Sequence, residues 1–329
     1  MRRPSPRFSH LALLAFISLP VLLPAQEASG PPAVTSSKAF TLGGYAQVLY
    51  TAQDADIDAF SIHRARLVFS SELLKNFRFK VQLDLVKSPA LVDAQLELVL
   101  HEAASVRVGQ FKVPFSLEMT TSSGDLDTIN RSQPVNRLSP SLDIGGGGRD
   151  IGAVVFGRSG ILEYTLGLFN GAGANKADTN DKKDLAGRIV VRPFSFLSLG
   201  ASFYDGSYSA AAGSAPAVRD KIGADAALVR GPFSLKTDFI QAEDAGTMRR
   251  GWYVQGGYLF LPKVLQGIAK LDSYDPDVSA SGDRQNTWTL GLNWFFSGRT
   301  KLQINFELLK DEAGATVNKS LLLQLQGAF

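Results

Sequence analysis

From Phe40 onward, apolar and polar residues alternate with a period of two instead of the helical 3.6. Phe77, Phe79, Val81, Leu83 and Leu85 share one side of a strand whose other side carries Asn76, Arg78, Lys80, Gln82 and Asp84. Val92, Ala94, Leu96, Leu98 and Leu100 oppose Asp93, Gln95, Glu97 and His101. Trp288, Leu290, Leu292, Trp294 and Phe296 alternate with Thr287, Thr289, Gly291 and Asn293. The pattern predicts about sixteen strands, over 40–51, 60–70, 76–86, 91–101, 105–113, 149–157, 161–170, 184–192, 197–205, 219–230, 232–242, 250–261, 264–274, 286–297, 300–310 and 318–329. Each is near the ~9–11 residues that a tilted membrane-spanning strand needs.

The connections fall into two series. Tight turns such as Glu102-Ala103-Ala104, Arg158-Ser159 and Ser297-Gly298-Arg299 alternate with longer polar segments such as 52–59, 171–183, 206–218 and 275–285. Short turns on one rim and long loops on the other are the signature of an outer-membrane barrel. A soluble sandwich or propeller would show the same alternation. Three features favour the barrel: the alternation runs through the chain without a second domain, the last strand closes on Phe329, and aromatics gather near strand ends. The aromatic pairs Tyr45 and Tyr50, Trp252 and Tyr253, and Tyr258 and Phe260 are expected to form girdles. The expected fold class is all-β: a transmembrane antiparallel β-barrel of about sixteen strands, with a long third loop folded into the lumen.

The cost of charge in lipid decides which face is wet. A basic residue at mid-depth on the lipid face costs about 2–4 kcal/mol, and strand 76–86 carries both Arg78 and Lys80 on one face. That face lines water. Parity then places Arg64, Arg66, Arg78, Lys80, Asp84, Asp93, Glu97, Arg107, Arg188 and Arg192 in the lumen, and points His63 outward. The segment 114–148 is too long for an ordinary connection. Rich in hydroxyls, amides and arginines and poor in large apolar groups, it reads as a pore-constricting loop that adds Ser122, Ser123, Arg131 and Arg137. Its run Gly145 to Gly148 is followed by Arg149-Asp150 and a strand, not by the Lys-Ser/Thr and helix of a phosphate loop, so the glycines let the loop swing back into the wall.

Rings of Arg and Lys build anion pores, and the guanidinium fork matches phosphate or carboxylate oxygens. Lumenal arginines that pair with acidic residues on neighbouring strands would instead only stiffen the wall.

The ends and the composition refine this picture. Arg2, Arg3 and Arg7, the apolar run Leu11 to Leu23 and the small residue Ala25 make 1–25 an expected secretory signal peptide. Residues 26–38 are expected to form a flexible lead, and 39–329 the barrel. The three arginines account for the whole formal charge of +3, so the remainder has no global field to attract nucleic acid. Without cysteine there are no disulfides and no thiolate chemistry. Neither His63 nor His101 lies in a nucleophile motif, so no enzyme is expected, and neither a metal site nor a cofactor is expected.

Several stretches resemble the phosphate-selective porin O and P family. Phe60-Ser61-Ile62-His63-Arg64-Ala65-Arg66-Leu67 and Asn76 to Asp84 look like its opening strands. Arg107 to Glu118 followed by Thr121-Ser122-Ser123 is similar to its most distinctive motif, and Asn130-Arg131-Ser132 and Gly167 to Gly171 extend the likeness. The resemblance implies a homotrimeric outer-membrane porin. It also implies anion binding by an arginine pair on the second strand, a basic residue on the third, an aspartate on the fourth, and two serines and an arginine of the loop. The matching positions are His63 and Arg64, Arg78, Asp93, Ser122 and Ser123, and Arg131. His63 stands where the pair has its first arginine. Met119 stands where selective members carry a lysine, and Tyr45 where they can carry an arginine.

The expected function is passive diffusion of small anions, phosphate or polyphosphate among them, across the bacterial outer membrane. A general non-selective porin on the same scaffold is the first alternative, and a non-conducting structural barrel or an outer-membrane hydrolase the second. Expected partners are small anions, outer-membrane lipid, two further copies of the chain, and the outer-membrane assembly machinery acting on the strand that ends at Phe329.

Overall fold

The period-two segments become strands at nearly the expected residues. In order they are β1 (Thr41–Gln53), β2 (Ala59–Leu74), β3 (Phe77–Asp84), β4 (Leu91–His101), β5 (Ala104–Lys112), β6 (Arg149–Ser159), β7 (Leu162–Phe169), β8 (Asp184–Phe194) and β9 (Leu197–Asp205). They continue as β10 (Ser207–Tyr208), β11 (Ala217–Arg230), β12 (Phe233–Asp244), β13 (Thr247–Leu261), β14 (Leu265–Asp275), β15 (Gln285–Ser297), β16 (Thr300–Lys310) and β17 (Thr316–Ala328). This computed structural model describes residues 40–329 apart from 55 and 209–214; the expected signal peptide and N-terminal lead lie outside the described residues.

The two-residue β10 only extends the pairing of β11, with Ser207 opposite Val218. The other sixteen strands form an antiparallel wall in chain order, and β9 pairs directly with β11. β17 returns to β1 in register from Tyr45 opposite Ala328 to Gln53 opposite Ser320, so the sheet is closed. Closure leaves no unpaired strand edge, which a sandwich would have to cover by other means.

Burial is inverted relative to a soluble protein. On β15, Leu290 is 61% exposed and Trp294 52%, while Asn293 between them and Asn305 on β16 are at 0%. Gln303, Gln324 and Gln326 are likewise buried and Phe296 and Leu325 exposed. An apolar outer surface with polar groups turned inward is stable only where the outside is hydrocarbon. Leu290→Lys, on the outer face midway along β15, is therefore expected to destabilise the barrel by about 2–4 kcal/mol when folding into bilayers is measured by denaturant titration. A soluble β-protein would tolerate lysine at so exposed a position.

Two readings of facing need correction. Tyr45 and Tyr253 are buried on the inner face and belong to no girdle, whereas Trp252, Tyr258 and Phe260 are exposed as expected. His63 points inward, not outward. The register of β1 with β2 shifts between Gln47 opposite Arg64 and Val48 opposite Ile62, leaving His63 as the extra residue of a bulge. A bulge resets the alternation, and His63 Nδ1 lies 2.6 Å from Gln324 Oε1 across the wall.

The loop between β5 and β6 is neither structureless nor poor in apolar anchors. It contains α1 (Leu117–Thr120), a 3-10 turn at Ser123–Asp125 and α2 (Gln133–Leu138). Ser116 Oγ caps α1 by accepting from Met119 N–H, and Pro134 lies in the first turn of α2. Val113, Phe115, Met119, Val135 and Leu138 form a buried cluster with Phe169, Tyr204, Ile240 and Tyr253 of the wall. Gly145, Gly147 and Gly148 adopt positive φ where the loop turns back into β6, the role expected of the glycine run.

Candidate functional site

The loop crosses to the far wall and is held there by polar contacts. Asp238 of β12 accepts from the Leu117 and Glu118 N–H groups, both at 3.2 Å, satisfying the start of α1. Asn305 Oδ1 accepts from Ile129 N–H at 2.7 Å, and Asn293 Nδ2 donates to Asp127 O at 2.8 Å. Three lysines complete the anchorage: Lys236 meets Asp127 at 2.5 Å, Lys270 donates to Thr128 Oγ1 and Asn130 O at 3.0 Å each, and Lys301 donates to Leu126 O at 2.7 Å. Sequence reading singled out none of these lysines, because alternation places a residue on the inner face without naming its partner.

On the opposite side of the loop lies a cavity of about 460 Å³. Its lining holds seven basic side chains, Arg66, Lys80, Arg107, Lys112, Arg149, Arg188 and Arg192, against two carboxylates, Asp93 and Glu163. Ser122 and Thr120 of the loop and Tyr164 and Ser198 of the wall add hydroxyls. Of the residues expected to line the pore, Arg66, Lys80, Asp93, Arg107 and Ser122 converge here. Arg78 shares a second cavity of about 420 Å³, toward the short-turn rim, with Glu72 and Glu97. Lys80 lines both and links them.

The remaining expected residues are placed differently. Arg64 lies on the wall, where its Nη1 donates to Gln47 Oε1 at 2.9 Å. Arg131 is a strut inside the loop: its guanidinium donates to Glu118 O (3.1 Å), Ser123 Oγ (3.3 Å) and Thr121 O (2.8 Å). Burial pushes Arg131 down to about 10, with Glu118 opposing, so it stays charged at neutral pH. Ser123 is buried as that bond's acceptor. Arg137 is exposed at the end of α2, outside the lining of the large cavity.

Ion pairing inside the cavity is extensive. Arg66 pairs with Asp84 at 3.1 Å and Arg107 with Glu97 at 2.7 Å, while Arg188 meets Asp225 and Arg192 meets Glu163. Asp93 is shared by two cations, Lys80 at 2.9 Å and Arg149 at 3.1 Å. Among the described residues Lys112 forms no ion pair with a carboxylate; its ammonium donates to the carbonyls of Met119 (2.8 Å), Thr120 (3.0 Å) and Thr121 (2.6 Å). Excess positive charge thus rests on Lys112 and on the Lys80–Asp93–Arg149 group.

Lys112 and Arg149 escaped the sequence reading. Strict alternation from Arg107 puts Lys112 on the other face, and Arg149 reads as the end of a loop. The signal that could have found them is pairing, since they stand opposite one another where the loop leaves and rejoins the wall. Met119, at the position of the missing lysine, is buried in the apolar cluster. Tyr45 lies beneath the guanidinium groups of Arg66 (5.9 Å) and Arg299 (5.5 Å), and Arg299 also donates to Ser122 Oγ at 3.2 Å.

A closed β-barrel with an apolar exterior, a hydrophilic interior and an inward loop beside a charged cavity defines the porin class of channels. The sequence profile of "Phosphate-selective porin O and P" matches residues 43–217 and 205–320, and the chain belongs to that family. No curated protein matches the chain by sequence. Among solved structures, the anion-selective porin from Comamonas acidovorans superposes with a TM-score of 0.69 at 16% identity, covering 89% of this chain and 100% of that one. OmpF of Salmonella typhi, in complex with daunomycin, gives 0.67 at 9% identity, covering 88% and 97%. The trimer form of in-vitro folded OmpT from Vibrio cholerae gives 0.65 at 9% identity, covering 89% and 100%. At these identities the likeness shows the shared fold. Family and fold are those of bacterial outer-membrane channels and not of enzymes.

Proposed function

We propose that the protein lets small anions, phosphate among them, diffuse passively through the lumen beside the loop. The observation that carries this reading is the charge balance of the large cavity, whose seven basic side chains outnumber the five carboxylates they pair with, Lys112 having no acidic partner among the described residues. An anion leaving bulk water there meets guanidinium and ammonium donors together with the Ser122 and Thr120 hydroxyls. Arg66, Lys80, Arg107, Lys112, Arg149 and Ser122 form the main station, Arg78 continues the path toward the short-turn rim, and Arg64 adds charge along the wall. Ser123 and Arg131 hold the loop in shape. The family description and the Comamonas porin's anion selectivity point the same way. A homotrimer, export directed by residues 1–25 and assembly through the terminal strand complete the proposal.

A general porin is the second reading, favoured by the pairing of Arg66, Arg107, Arg188 and Arg192 with carboxylates. Bilayer reversal potentials under chloride and then phosphate gradients separate the two. Anion preference should be strong at low salt and fade above ~0.1 M, where the screening length falls to ~10 Å. A reversal potential near zero at every ionic strength would leave only the general porin, and a silent, folded barrel would remove both readings.

A further inference from the structure

We infer that the outer face of the barrel carries a binding site for the phosphorylated headgroup of an outer-leaflet glycolipid, built from Arg250, Arg284 and Asp275 at the long-loop rim. A groove of about 400 Å³ lies there, and its lining includes these three residues, Trp252, Phe239 and Asn286. It is outside the lumen. On β13, Arg250 shares a face with Trp252 and Val254, all exposed, while Gly251, Tyr253 and Gln255 between them are buried. The rim is set by topology, because β14 ends at Asp275 and leads into the 276–284 connection, in the long series that faces away from the periplasm.

The chemistry of the groove is graded with depth. Trp252 and Phe239 supply an apolar floor that continues the lipid-facing surface, as interfacial aromatics do. Above it, Arg250 and Arg284 stand half-exposed, each 3.6 Å from the same carboxylate oxygen of Asp275. At that distance the pairs attract without forming hydrogen bonds, so the guanidinium forks remain available to phosphate oxygens. Among the described residues the second oxygen of Asp275 is buried and without a partner, although the residue lines the groove. A sugar hydroxyl beside the phosphate would donate to it, and a buried acceptor left unmade is costly. Glu312 also lines the groove, its carboxylate accepting from Gly282 N–H at 2.7 Å.

The test uses the full barrel in phosphatidylcholine nanodiscs, titrated with bisphosphorylated lipid A, with dephosphorylated lipid A and with inorganic phosphate, and read by native mass spectrometry. The wild type should retain bisphosphorylated lipid A. The double variant Arg250→Gln and Arg284→Gln should hold it about tenfold or more weakly, since charge-assisted bonds are lost. Its channel conductance should be unchanged, which also shows that the barrel has folded. Equal retention by wild type and variant, or of lipid A with and without phosphate, would overturn the site. Displacement of lipid A by millimolar inorganic phosphate would overturn the lipid assignment in favour of a free-phosphate site. Loss of anion selectivity bears on the lumen alone, so the two proposals fail independently.

Discussion

Lys80→Glu should lower the anion-to-cation permeability ratio about a hundredfold, and Asp93→Asn should raise it about tenfold. The two residues touch at 2.9 Å, and both line the large cavity. A unit charge ~6 Å from a passing ion is worth about 0.7 kcal/mol even at the dielectric constant of water, and more where the wall excludes water. Because an anion and a cation are shifted in opposite directions, the ratio moves by twice that per unit charge; Lys80→Glu changes two unit charges, for about 2.8 kcal/mol or a factor of about a hundred. Asp93→Asn changes one charge, for about 1.4 kcal/mol or tenfold. It also frees both cations that Asp93 holds, although Arg149 keeps its bond to Gly147 O at 2.8 Å. The opposite signs make the pair informative, because a general loss of folding cannot move the ratio in two directions. Equal reversal potentials for wild type and both variants in ~0.05 M salt would show that this part of the wall does not set selectivity.

Asp127→Ala should release the tip of the loop. Asp127 accepts from Lys236 Nζ at 2.5 Å and from Gln255 Nε2 at 2.8 Å, and its main-chain oxygen accepts from Asn293 and Gln303. Removing the carboxylate forfeits two charge-assisted side-chain bonds, one of them an ion pair, and leaves the Lys236 ammonium without its partner. Hydrogen bonds to charged groups contribute about 1.5–3 kcal/mol each, so the tip should lose roughly 3–6 kcal/mol of anchorage. The main-chain bonds remain, so the loop should sample detached positions without staying in them. Single-channel records should then show a larger mean conductance with added noise. Anion preference should rise, because detachment bares Lys236, Lys270 and Lys301 on the opposite wall. A quiet channel of wild-type conductance would mean that the apolar cluster around Phe115, Val135 and Leu138 holds the loop by itself.

Much of this architecture was legible in the chain because a strand in lipid obeys two strict local rules. Side chains alternate, and a charge on the greasy side costs more than any nearby contact returns. Those rules were sufficient for the strand positions and for the inward facing of Arg66, Lys80, Asp93 and Arg107. They failed at His63, where one inserted residue resets the phase, and at Lys112 and Arg149, where the strands have given way to a loop. Tyr45 and Tyr253 were misread because aromatic residues near strand ends serve either face.

The local pattern of the chain is enough for the closed sheet, its wet interior and its greasy exterior, since each follows from the repeat of neighbouring residues. Which charges remain uncompensated is set by contacts between distant segments. Asp127 meets Lys236 across more than a hundred residues of chain, and Asp93 meets Arg149 across fifty-six. Such distant partners leave no local pattern; they are fixed only when the loop's buried apolar side chains seat it against one wall and leave the other open to water.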